Sequence, residues 1–169
     1  MDHSITNTTM ISAHIGGRGS LDEYAMEDFL PVPSKVRGSS QQRSWLEGDC
    51  DRLMSLFIRQ FHKNSCATCG ITTKWRQLQN GHYQGRGLRP TRYDIRNCGP
   101  QCGFCNCGYR GPVDDILALW LDRYWGDGTA EAMFLLGHSG QGLSSTPGGL
   151  QTIRLAYHRA LKHYNFNIR

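Results

Sequence analysis

Apolar positions recur with helical spacing in three stretches of the chain and lose it between them. Leu53, Leu56, Phe57, Ile58 and Phe61 fall at i, i+3, i+4, i+5 and i+8, which predicts an amphipathic helix over residues 49–61 with Asp49 or Asp51 as its cap. Ile116, Leu117, Trp120, Leu121 and Tyr124 predict a second helix that buries them, with Pro112 in its first turn. Leu150, Ile153, Tyr157, Leu161 and Tyr164 form one stripe on a final helix. Thr129 is placed to cap a short helix ending at Gly137. Residues 66–83 read instead as a tight turn followed by short strands, and 84–101 as an Arg- and Gly-rich connection. Residues 1–44, punctuated by Gly16-Gly17, Pro31, Pro33 and Gly38, hold no sustained period beyond a short helix near Asp22–Phe29.

This pattern divides the chain into a weakly ordered tail (1–44), a central domain (45–140), and a Gly/Ser linker with a basic helix (141–169). The apolar fraction, 38% of 169 residues, is small for one large core and argues against a wide apolar cavity. No run of 18 apolar residues is present, so no membrane span is expected, and the polar N-terminus has no signal-peptide core. The seven cysteines are then expected to be reduced, in a cytoplasmic setting, where clustered cysteines point to metal before disulfides.

Charge is segregated. Residues 1–62 carry a net −2, 63–110 a net +7, 111–140 a net −4 and 141–169 a net +4. The strongly basic block coincides with most of the cysteines. A solvated surface accounts for charge alone; together with a metal motif it points to a polyanion partner.

That motif is a pair of C-x2-C knuckles, Cys66/Cys69 and Cys102/Cys105, separated by 32 residues. Two thiolates from each turn can close a tetrahedral zinc site, and binding free energy then serves as folding free energy in a chain with little core. Cys98 and Cys107 are near enough in sequence to substitute as ligands, while Cys50 reads as packing. Between and after the knuckles stand His82, Asn97 and Asn106. A histidine and an amide oxygen brought together can serve phosphodiester hydrolysis, one taking a proton from water and the other helping to hold a divalent cation.

The arrangement resembles the HNH, or ββα-metal, nucleases. The runs Leu78-Gln-Asn-Gly-His82-Tyr83 and Arg92-Tyr-Asp94-Ile-Arg-Asn97-Cys98-Gly-Pro-Gln101-Cys102-Gly-Phe-Cys105-Asn106 are more specifically similar to the NinG (Rap) recombination endonucleases of lambdoid phages, over roughly residues 50–140. Phage endonuclease VII shows the same local pattern. The resemblance implies a small α+β, zinc-bound treble-clef core with flanking helices. It also implies a metal-dependent endonuclease cutting branched DNA such as Holliday junctions and D-loops, working in the host cytoplasm, with other phage recombination proteins as candidate partners. His82 would be the general base, Asn106 a ligand of a catalytic Mg²⁺ or Mn²⁺, and Asn97 the residue that orients His82 or ties down its loop. Many HNH enzymes place Asp before the histidine; here Gly81 stands there, and Asp94 is the expected replacement ligand, ahead of Asp114 and Asp115.

Arg86, Arg89, Arg92 and Arg96 are the expected DNA contacts, with Lys74, Arg76 and Arg110 behind them. One or two of the four can instead be structural, for example by pairing with Asp94. Spaced arginines suit phosphate contacts better than base readout, and four such contacts give a log–log salt slope of about −3.6. Cutting two strands related by near two-fold symmetry makes a homodimer the natural expectation. The rival reading is a non-catalytic zinc module that binds DNA or a recombination partner; an RNA substrate is a weaker third.

Overall fold

The computed structural model describes residues 39–108, 112–140 and 142–168. The short helix expected near Asp22–Phe29 and Arg110 lie outside them. In order along the chain come helix α1 (Ser39–Phe61), strand β1 (Leu78–His82), strand β2 (Cys98–Cys102), helix α2 (Pro112–Trp125), helix α3 (Thr129–Gly137) and helix α4 (Pro147–His163). This is a small α+β architecture with one two-stranded antiparallel sheet.

Helix α1 starts ten residues before the predicted boundary. Leu46 and Cys50 extend the apolar stripe backward, and both are fully buried with Leu53, Met54 and Phe57. Their packing outweighs Gly48, which costs a helix interior roughly 1 kcal/mol relative to Ala. Asp49 and Asp51 therefore sit inside the helix and cap nothing: Asp49 pairs with Arg52 and Arg154, and Asp51 with Arg92. Lys63 and Asn64, both left-handed, end the helix, and the Asn64 side chain accepts from the Trp75 N–H at 3.0 Å.

Helix α4 packs on α1 to form the main core. Leu150, Ile153, Tyr157 and Leu161 meet Leu46, Cys50, Leu53 and Phe57, with Tyr93 and Cys98 closing one side. Thr146 caps α4 by accepting from the Gly149 N–H, and Pro147 opens its first turn. Arg154 reaches Asp49 at 2.6 Å with both side chains largely buried. One charge of the basic helix is thus used inside the protein.

The β1–β2 pair is too small to stand alone. It lies in the register Leu78↔Cys102 to His82↔Cys98, with Gly81 opposite Gly99. A side chain at 99 would press on Ala67, Leu117 and Trp120, so glycine there lets α2 and the first knuckle close on the sheet. Of the α2 stripe, Leu117 and Leu121 are buried, whereas Ile116 and Tyr124 are 41% and 46% exposed, contrary to expectation. Tyr124 instead stacks on Trp120 beside His62. Helix α3 ends where the sequence places it, but Thr129 does not cap it. Asp122 of α2 accepts from the Ala130 N–H at 2.8 Å, while the Thr129 hydroxyl turns back to the Gly126 carbonyl. No helix among the described residues is long and apolar enough to cross a membrane.

Candidate functional site

The first knuckle is a turn closed by Gly70 N–H donating to the Cys66 carbonyl at 2.9 Å, with Gly70 left-handed. The second begins at the last residue of β2 and continues into a π-helical turn, Phe104–Gly108. The antiparallel pairing brings the two knuckles together: the sulfurs of Cys66, Cys69, Cys102 and Cys105 all lie within 4.8 Å of one another. Cys69 and Cys102 are 3.9 Å apart. Zinc–sulfur bonds of about 2.3 Å in a tetrahedron need edges of about 3.8 Å, so the donor set fits a metal ion such as zinc.

The Cys102 N–H points at the Cys66 sulfur at 3.3 Å, the kind of outer contact that steadies a thiolate ligand. Burial pushes the Cys66 thiol up, but the backbone N–H groups of Cys69, Cys102 and Thr68 outweigh it and bring the pKa down to about 7. The neighbouring cysteines do not join. Cys98 is fully buried in the main core, Cys107 donates to the Gln79 Oε1, and Cys50 donates to the Leu150 carbonyl. Cys98 and Cys107 as substitute ligands are thereby corrected.

Beside the cluster lies a cleft of about 760 Å³ whose wall includes His82, Asn106, Arg86, Arg59, Asp51 and Asp114. His82, at the end of β1, is held through its Nε2, 3.0 Å from the Arg92 carbonyl. A carbonyl only accepts, so Nε2 carries the proton and Nδ1 keeps a lone pair. Burial lowers the His82 pKa below its usual 6.5, against the opposing pull of the Arg92 carbonyl; the Arg86 charge lowers it further and Asp51 raises it. Asn106, exposed in the π-helical turn rather than on α2, gives its Nδ2 to Gln79 Oε1 at 2.6 Å, and its own Oδ1 has no partner among the described residues. Asn97 is fully buried and does not reach the cleft. Its amide bonds the Gln84 N–H, the Gln84 carbonyl and the Thr91 carbonyl, tying the two ends of the loop that carries Arg86 and Arg89.

Asp94 is corrected as a metal ligand. It is 2% exposed, and its two oxygens take the Arg96 guanidinium and backbone N–H. Arg96, so paired, is corrected as a free phosphate contact, and so is Arg92, whose guanidinium is clamped by Asp51 at 2.7 Å and Glu47 at 3.7 Å. Arg86 and Arg89 keep side chains 64% and 46% exposed, with only long contacts to Asp51 and Glu47. Lys74 and Arg76 are exposed as well. The cleft wall holds two carboxylates: Asp51, held by Arg92, and Asp114, in the first turn of α2.

Gly81 has a local cause. The Gln101 side chain of β2 lies where a side chain at 81 would stand, fixed by its Nε2 donating to Thr68 Oγ1 at 2.6 Å. The sequence reading missed the face that α1 turns to the cleft, Asp51, Ser55 and Arg59. With Glu47 these recur every fourth residue, a polar stripe on one face of a helix, and that spacing was the available signal.

Fold and site together define a small α+β protein built on a four-cysteine, metal-competent cluster with a polar, partly basic cleft against it. The sequence matches the family model described as Bacteriophage Lambda NinG protein over residues 34–164. The chain belongs to the NinG family, phage proteins connected with recombination, and the match runs beyond the knuckles to take in α1 and α4. Neither a curated protein nor a solved structure gives a match.

Proposed function

We propose that this NinG-family chain is a metal-dependent, structure-selective DNA endonuclease of the HNH, treble-clef type that cuts branched DNA during phage recombination. The observation that carries the reading is His82: its Nε2 is spent on the Arg92 carbonyl, which leaves the lone pair on Nδ1; burial lowers its pKa below 6.5, and the residue lines a cleft shared with Asn106 and Arg86. A fixed, neutral imidazole of that kind can take a proton from water. The water oxygen then attacks phosphorus in line, and the bond to the 3′-oxygen breaks to leave a 5′-phosphate. A divalent cation such as Mg²⁺ or Mn²⁺, when bound, would neutralise charge on the scissile phosphate, and Asn106 and Asp114, both in the cleft wall, would be its ligands. Asn97 acts at a distance, by holding the loop. Exposed Arg86 and Arg89 suit backbone phosphates, and paired cuts across a junction favour a homodimer.

One observation favours the rival, a zinc-containing module that binds DNA without cutting it: the space before His82 where a carboxylate ligand would sit is taken up by Gln101. The two readings separate on cleavage of an end-labelled four-way junction and its matching duplex, with Mg²⁺ or Mn²⁺, by wild type and His82→Ala. Junction cutting that disappears in the variant while binding persists supports the nuclease. A folded, zinc-loaded wild type that shifts the junction and never cuts it leaves the module.

A further inference from the structure

The last turn of α1 carries a cation, Arg59, that has no counter-charge among the described residues. Arg43 is paired closely with Glu47, Arg52 and Arg154 with Asp49, Arg92 with Asp51 and Arg96 with Asp94, while the exposed Arg86 and Arg89 keep long contacts to Asp51 and Glu47. Arg59 is partly buried in the cleft wall, yet among the described residues it meets no carboxylate. Its Nε donates to the Ser55 carbonyl at 2.9 Å and one terminal nitrogen to the Leu78 carbonyl of β1 at 3.4 Å. The Trp75 ring lies 5.4 Å from the guanidinium carbon and receives Arg76 at 4.4 Å. Burial lowers the Arg59 pKa, the sign of a charge held without compensation. A guanidinium has five N–H donors, so about three remain after these two bonds, on a group already oriented by two carbonyls and a ring. Such a fork fits the paired oxygens of a phosphate.

We propose that Arg59 is a phosphate anchor for nucleic acid in the cleft, on the α1 side of His82, with Arg76 beside Trp75 continuing the same track. Arg86 and Arg89 serve the loop side. Cations on both sides of His82 suit a phosphodiester chain passing through, rather than one free anion. The proposal rests on the nucleic-acid reading of the cleft and is independent of whether the cleft cuts.

The test is binding of a dye-labelled duplex and a four-way junction by the full zinc-loaded chain, by fluorescence anisotropy across a KCl series without added divalent ion. Arg59→Gln should weaken binding about tenfold and reduce the magnitude of the duplex salt slope by about 0.9. Arg59→Lys should keep the slope and lose part of the affinity. Arg52→Gln, on the opposite pairing with Asp49, should leave both near wild type. As a measurement that needs no variant, DNA should protect Arg59 of the wild type from phenylglyoxal while Arg52 reacts at its free rate. Unchanged affinity and slope in folded Arg59→Gln, no protection of Arg59, or no DNA binding by the wild type each overturns the proposal. A wild type that binds through Arg59 here and, with Mg²⁺ or Mn²⁺ added in a separate cleavage assay, never cuts removes the nuclease and keeps the anchor; a wild type that cuts there while Arg59→Gln binds with unchanged affinity and slope removes the anchor alone.

Discussion

The Nε2 of His82 lies 3.0 Å from the backbone oxygen of Arg92, and the Arg92 side chain is itself locked to Asp51 on α1. An arginine that looks like a DNA contact is thus part of the frame that sets which histidine nitrogen is bare. The loop bearing Arg92 is closed by Asn97, and α1 holds its far side.

If His82 is the base, junction cleavage should rise with pH through a midpoint below 6.5 and then level off, because burial depresses the His82 pKa and only the neutral ring accepts a proton. His82→Ala should lower the rate about 10²- to 10⁴-fold with little change in affinity. A pH–rate profile of wild type beside the variant's binding curve checks both parts; a midpoint above 6.5 contradicts the assigned tautomer and environment.

Metal content should follow the four-cysteine set alone. Cys66→Ala, Cys69→Ser and Cys102→Ser should each lose zinc and cooperative unfolding, since site formation and folding share one free energy. Cys107→Ser and Cys98→Ala should retain one zinc per chain. Zinc quantification after gel filtration, with circular dichroism melting, separates the two groups. Retained metal in Cys69→Ser would point to Cys107 as a stand-in.

Substituting the four loop arginines should divide them. Arg86→Gln and Arg89→Gln should each reduce the magnitude of the DNA salt slope by about 0.9 and leave the melting temperature nearly unchanged. Arg96→Gln should leave the slope alone and destabilise, because it strands the Asp94 carboxylate, 1% exposed at its side chain; uncompensated buried charge costs about 3–5 kcal/mol. A slope change with Arg96→Gln would restore it as a phosphate contact.

His62 should make the fold acid-sensitive. Both its ring nitrogens are buried without a partner among the described residues, beside Phe61, Trp120, Tyr124 and Trp125, and burial lowers its pKa from 6.5 to about 4. The unfolded chain therefore binds the extra proton first. Stability from this group is complete above about pH 6.5 and falls by about 3 kcal/mol as pH drops towards 4. His62→Phe should flatten the urea midpoint over that window with zinc held in excess. An unaltered pH dependence would place the acid sensitivity elsewhere.

Periodicity and spacing determined much of this protein. The stripes of α1 and α4, the stop at Gly137 and the two C-x2-C knuckles follow from local rules: a helix buries every third or fourth residue, and a tight turn offers two thiolates. Membership of the NinG family was legible in the runs around His82 and Cys102. What the sequence left open was pairing at long range. Asp94 and Asp51 look alike as carboxylates; folding buries the first against Arg96 and sets the second on the cleft beside Arg92. Arg59 and Arg92 look alike as cations, yet α1 brings Glu47 and Asp51 to one and nothing acidic to the other. Charges acquire roles from which neighbours share their desolvation, and only the tertiary structure, by laying α1 across the β1–β2 pair, decided those neighbours.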